Sequence, residues 1–306
     1  MNGLYFLILG VFWSFSFLAI KISVTVLPAL LAAFVRVLIA GITLSLLFLA
    51  QRQNLRTPWA SLWRLWGVGV LLQGLPFALL FWGECYVSPA LASIINSTVS
   101  IWALVFGIVI FRDYSQATWA KMLGLLFGMI GVGCIFMPLL GGGTGQHLMG
   151  VIAILVMAMS YGFGALLNQR FCKSSYRVSF QVGLWHQHCG SLLFLTIVML
   201  AFGHHTDFEP LFQGFRVWIA LLYLGVFSTA IAWMIYYRLI VEWGAVRASS
   251  VMFFVPILTI LWDRIFMEIR PNVQDILGVV FILLGVALIQ FFKAPASGGV
   301  SPICQK

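Results

Sequence analysis

The stretch Ala90-Leu91-Ala92-Ser93-Ile94-Ile95 returns later in the chain as Arg247-Ala248-Ser249-Ser250-Val251. With Ala92 set on Ala248 and Ser93 on Ser249, Ser100 falls on Pro256. Each copy is followed by an apolar run and then a charged break, Arg112-Asp113 in the first and Glu268-Ile269-Arg270 in the second. Beyond the breaks, Leu123-Gly124 through Gly131-Val132 answers to Leu277-Gly278 through Gly285-Val286. The chain reads as two related halves. In a membrane protein such a duplication is a signature of a carrier.

Composition makes the membrane the first expectation. Of 306 residues, 62% are hydrophobic and 8% charged, and the mean hydropathy is +1.06. A soluble domain carries about 25% charged residues. This chain lacks the polar groups to cover a surface in water, so its solvent is the lipid bilayer. The net charge of +9 sits in short loops between apolar runs, as orientation signals do, and does not indicate nucleic acid as a partner. Cys85, Cys134, Cys172, Cys189 and Cys304 show neither paired nor metal-ligand spacing, which predicts no disulfide, no metal and no cofactor. Met1-Asn2-Gly3 offers no basic region before the first apolar run, so that run is expected as a retained helix and not a signal peptide.

The fold expected is an all-α integral membrane protein with ten transmembrane helices arranged as two inverted five-helix repeats. At about 20 residues per crossing, the spans fall at roughly 3–22, 29–50, 64–86, 89–111, 119–138, 148–169, 179–202, 216–237, 245–267 and 275–292. The first repeat covers 1–139 and the second 148–293, and residues 294–306 form a Pro/Ser/Gly-rich tail expected to be disordered. With the N-terminus in the cytoplasm, twelve Lys and Arg lie inside and four outside (Lys21, Arg216, Arg264 and Arg270), leaving Arg36 within a span. That bias orients both termini inward. Five helices per half make the second half enter the membrane upside down, the symmetry that lets one fold expose a central site to either side.

Several motifs in order resemble the EamA family of the drug/metabolite transporter superfamily. Trp13-Ser-Phe-Ser-Phe-Leu-Ala-Ile-Lys21 is similar to its first-helix motif, and Phe34-Val-Arg36-Val-Leu-Ile-Ala40 to its second. Phe81-Trp-Gly-Glu84 through Ala90-Leu-Ala-Ser93-Ile-Ile-Asn96 resembles its third-to-fourth helix junction, and Val246-Arg-Ala-Ser249 through Pro256 its ninth helix. The resemblance implies a ten-helix carrier, commonly an inner-membrane exporter of amino acids or related small metabolites. There are departures. Ser100 stands where the first repeat usually has proline, which predicts a fourth helix without that kink. Asp263-Arg264 stands where the family is normally apolar.

A charge inside a bilayer helix costs about 2.5–3.5 kcal/mol on insertion scales, so the polar residues within spans are the candidate site. Lys21, Arg36, Glu84 and Asn96 fall at similar depths, toward the outer side. In one reading Arg36 or Lys21 attracts a substrate carboxylate while Glu84 takes an amino group or a coupling proton. In the other, Arg36 and Glu84 merely pair, and Lys21 reaches out to headgroups. His186, in His186-Gln187-His188, sits at the mirror depth near the inner side; it serves proton coupling or an interhelical hydrogen bond. Trp13, Ser14 and Ser16 lie near mid-membrane, with Tyr161 at the equivalent place in the second repeat. They wall a cavity or simply pack. Ser249 and Ser250 occupy the inner mouth, and His204-His205 a solvated loop. Asp263-Arg264 is expected to reach solvent or pair locally.

The function expected is alternating-access transport, secondary-active or facilitative, of a small-molecule substrate by a functional monomer, with protons as a candidate coupling ion. No GxxxxGK[ST] loop is present to engage ATP. The competing class, a membrane-embedded enzyme acting on lipids or isoprenoids, needs paired carboxylates or a nucleophile with its base. The eight acidic residues form no HExxH and no Asp-rich pair.

Overall fold

The computed structural model describes residues 2–112, 114, 118–140, 145–173, 179–202, 214–243, 250–268 and 273–291, and the structural statements below concern these residues. They hold no strand. In chain order the helices are α1 (Asn2–Val24), α2 (Ala29–Ala50), α3 (Trp59–Gly69), α4 (Leu75–Glu84), α5 (Pro89–Asn96), α6 (Val99–Val109), α7 (Trp119–Leu140), α8 (Gly145–Lys173), α9 (Phe180–Phe202), α10 (Phe215–Leu222), α11 (Ala232–Trp243), α12 (Phe254–Phe266) and α13 (Val273–Phe291). Seven stretches are long and apolar enough to cross a membrane: Asn2–Val24, Ala29–Ala50, Ser61–Glu84, Pro89–Val109, Gly145–Arg170, Phe180–Phe202 and Phe215–Leu239. Trp119–Cys134 and Ile276–Leu288 are apolar but shorter. The outward faces carry large apolar side chains such as Leu46, Leu49, Ile197 and Leu200, which only lipid solvates well. This is a multi-pass membrane protein.

Helix ends follow local chemistry. Pro28 and Pro58 directly precede α2 and α3, and Pro89 opens α5 behind Ser88, whose hydroxyl accepts the Leu91 N–H at 3.2 Å. Three helices stop at non-glycine residues with positive φ: Arg52 (52°), Arg112 (52°) and Glu268 (57°). Arg112 and Glu268 are register equivalents, so the charged break of each half is a left-handed helix stop.

Two spans contain a π turn, Val70–Gly74 between α3 and α4 and Tyr223–Ile231 between α10 and α11. Aligning Gly69 with Gly225 places them at equivalent positions of the two halves. A π turn loosens the helical hydrogen-bond ladder, and neighbouring hydroxyls take up carbonyls there. Ser191 donates to Gly69 O and Ser160 to Leu71 O, both at 2.8 Å, and Thr229 donates to Leu224 O at 2.7 Å.

The fourth span corrects the expectation drawn from Ser100. It breaks at Ser97-Thr98, between α5 and α6, with no proline in the break. Ser97 Oγ donates back to Ser93 O at 3.1 Å, and Thr98 Oγ1 to Ile95 O at 2.6 Å. Such back-bonding competes with the helical ladder and bends it. The second half changes from 3-10 (Ser250–Phe253) to α at the register-equivalent position.

Glycines set the closest approaches. A Cβ on Gly131 would lie 2.7 Å from Ile282 Cγ1 and 2.9 Å from Gly278 O, while one on Gly285 would lie 2.7 Å from Gly128 N. The repeated Leu-Gly-x7-Val stretches therefore face each other, joining α7 and α13 in the most extensive helix pairing of the described chain. Two further sets of pairings exchange when the halves are exchanged. α8 packs on α4 and α6, while α1 packs on α11 and α12. α9 packs on α3, while α2 packs on the Tyr223–Ile231 turn.

Candidate functional site

Arg36 sits on α2 against the second π turn and is 4% exposed. Its Nε–H donates to Thr229 Oγ1 at 2.9 Å and its Nη2 to Ser228 Oγ at 3.3 Å. The guanidinium carbon lies 4.0 Å from the Phe77 ring centroid, a cation–π contact from α4. Nη1 is buried with no hydrogen-bond partner. Three contacts thus fix the guanidinium plane and leave one donor aimed at nothing. Tyr161, Glu84, Tyr223 and His188 lie within its electrostatic reach.

Glu84 ends α4 and is fully buried, and neither carboxylate oxygen has a hydrogen-bond partner. Lys21, Asp263 and Arg36 are the charges acting on it. Lys21 turns inward from the end of α1 and donates to Glu84 O at 2.5 Å and to Val87 O at 2.9 Å. The structure therefore brings Lys21, Arg36 and Glu84 together, but in neither of the two plainer arrangements. Arg36 bonds the second half and not Glu84, and Lys21 caps carbonyls instead of reaching headgroups.

Asp263 is the clearest departure from the sequence expectation of a solvent-facing or locally paired residue. It is 2% exposed, and its Oδ2 accepts the Ala90 N–H at 2.8 Å. Its neighbour Arg264 is exposed. Adjacent residues of a helix diverge, so one of the pair faces the bundle and the other faces out.

Around these charges, Trp13 is buried and lies against Trp233 and Tyr236, with ring centroids 6.2 and 5.2 Å away. Tyr161 is partly buried. Ser16 donates back to Trp13 O of its own helix at 2.6 Å. Ser14 accepts the Trp262 indole N–H at 2.9 Å. Asn96, partly buried, is the last residue of α5 at the break. His186 pairs through Nε2 with Leu55 O at 3.0 Å and His188 through Nδ1 with Leu184 O at 2.8 Å; each leaves its other ring nitrogen buried and unpartnered, and His188 is the more enclosed of the two. Ser249 and His204-His205 lie outside the described residues.

A model of the EamA-like transporter family matches residues 1–137 and again 148–291. The chain belongs to this family. Among its relatives is the uncharacterized inner membrane transporter YedA of Escherichia coli (strain K12), 26% identical over 97% of this chain and 94% of that one. The uncharacterized transporter YoaV of Bacillus subtilis (strain 168) is 25% identical over 91% and 93%. A protein of Salmonella typhimurium named a probable amino-acid metabolite efflux pump is 24% identical over 98% of each chain. One crystal structure superposes with a TM-score of 0.65 at 17% identity, covering 95% of this chain and 97% of the other, which speaks to fold alone.

For this EamA-family chain, sequence reading missed Ser228-Thr229, the hydroxyl pair that holds Arg36. The available signal was two adjacent hydroxyls in the apolar run Val217–Ile235. It also missed Gln73 and Ser191. Both are fully buried, joined at 3.4 Å, and Gln73 Nε2 has no partner.

Proposed function

We propose that the protein is a secondary-active or facilitative carrier that works by alternating access and exports amino acids or related small metabolites across the inner membrane. The observation carrying this reading is the pair of buried, unpartnered groups of opposite charge, Arg36 Nη1 and the Glu84 carboxylate. Leaving a buried polar group unsatisfied costs about 1–3 kcal/mol, and more when it is charged. A zwitterion relieves both costs at once, its carboxylate accepting from Arg36 and its ammonium donating to Glu84. A proton on Glu84 relieves the second alone, which is the route to coupling. The name of the Salmonella relative points the same way.

The carrier has ten spans as two inverted repeats, with both termini cytoplasmic and one protomer as the working unit. Supporting the inversion, Gly131 meets Gly278 while Gly285 meets Gly124 and Gly128. Equivalent helices that touch in reversed order run antiparallel about a two-fold axis, and an axis lying in the membrane plane does this.

The test is counterflow in proteoliposomes with pooled labelled amino acids and nucleosides, with and without an inward proton gradient. Saturable, trans-stimulated flux of an amino acid is expected. No flux of any pool member, from protein that elutes as a single folded species, would overturn amino-acid export.

A further inference from the structure

We infer that Asp263 and Lys21 form a charged latch that holds the bundle shut at the end opposite the N-terminus, with Asp263 as its gating residue. The latch closes on the turn between α4 and α5. Lys21 donates to Glu84 O and Val87 O where α4 ends, and Asp263 accepts the Ala90 N–H where α5 begins. Each charge therefore meets the helix end whose dipole has the opposite sign. The two come from different halves of the chain. Their helices are tied together, since Thr259 of α12 donates to Ser14 O at 3.4 Å and Trp262 to Ser14 Oγ at 2.9 Å. α1 and α12 thus act as one body that grips the α4–α5 turn from both sides.

Nothing comparable stands at the register-equivalent positions of the other end. There Asp263 is matched by Gly107 and Lys21 by Gln169. A Cβ on Gly107 would meet nothing within 4 Å, and Gln169 is exposed. At the end opposite the N-terminus a charge-assisted hydrogen bond joins the halves; among the described residues, positions 107 and 169 supply no such charge. Asp263 also stands within electrostatic reach of Lys21 and Glu84, so opening the latch changes the field at the buried carboxylate.

The inference rests on the carrier reading, and its test measures opening without measuring flux, so the two can fail separately. In the full chain with its five cysteines replaced, Ser93→Cys reports on buried α5 and Ser61→Cys on the buried start of α3 near the other end. A membrane-impermeant thiol reagent is added in turn to each side of proteoliposomes of known orientation. From the side opposite the N-terminus, Ser93→Cys reacts slowly in the parent and about tenfold faster with Asp263→Ala, the change expected of a two-state equilibrium that loses one charge-assisted hydrogen bond. Asp263→Asn, which keeps an acceptor without the charge, falls between. It also serves as the test if the alanine variant does not fold. Ser61→Cys is unchanged from its own side. An unaltered Ser93→Cys rate in both variants overturns the latch. So does equal acceleration of both reporters, which marks general loosening.

Discussion

Thr229→Val isolates the contact that orients Arg36. The substitution preserves shape and removes one hydroxyl, which accepts Arg36 Nε–H at 2.9 Å and donates to Leu224 O at 2.7 Å. Depriving a buried cation of a partner costs about 1.5–3 kcal/mol, and losing the neutral bond about 0.5–1.5 kcal/mol. In an Arg36→Met background the first cost vanishes and the second remains, because the hydroxyl still has Leu224 O. A double-mutant cycle should therefore give a coupling of about 1.5–3 kcal/mol. At the low end of the usual ~2–4 °C per kcal/mol for chains of 150–250 residues, that is about 3–6 °C between the two effects of Thr229→Val. Thermal melts of the four proteins in one detergent at one scan rate measure it. If Thr229→Val lowers the melting temperature equally in both backgrounds, Thr229 does not act through Arg36.

Three further expectations follow from particular contacts. Gly131→Ala and Gly285→Ala each force α7 and α13 apart and destabilise by about 1–3 kcal/mol. Gly133→Ala on the same helix, where a Cβ meets nothing within 4 Å, melts at or above the parent temperature; identical melts for all three would show that this packing is wrong. Glu84→Gln removes the response of flux to an inward proton gradient, read by a pH jump across proteoliposomes, and raises the substrate concentration at which trans-stimulated exchange saturates, because the amide accepts from the ammonium without the charge; a gradient response equal to the parent's rules Glu84 out as the proton carrier. Glu268→Gly relieves a left-handed conformation that costs a non-glycine residue about 1–2 kcal/mol; its melting temperature should rise, and a fall would mean that the side chain holds a contact of its own.

Among the described residues, the depth of part of the candidate site was legible because it is written along the chain. A helix advances about 1.5 Å per residue, so Lys21, Arg36, Glu84 and Asn96 could be set at one level by counting from the span ends, and the structure brings the first three near one another. What each side chain bonds was not legible. Arg36 and Thr229 are 193 residues apart, and Asp263 and Ala90 are 173 apart. Periodicity along one helix carries no information about such partners. The unkinked fourth helix failed as an expectation for a related reason. Proline is one cause of a break, but Ser97 and Thr98 make theirs with their own hydroxyls.

By itself the sequence determined the solvent, the duplication and the family. Each depends on composition or on spacing along the chain, and 62% apolar residues with 8% charged leave one solvent open. It also marked Gly124, Gly131, Gly278 and Gly285 as a repeated set. Only the tertiary structure decided that these glycines face one another, that Arg36 bonds the second half and not Glu84, and that Asp263 points inward to cap α5. The physical reason is the same in each case. A buried polar group or a close backbone approach is settled by whichever helix packs opposite, and that helix is chosen by the assembled bundle.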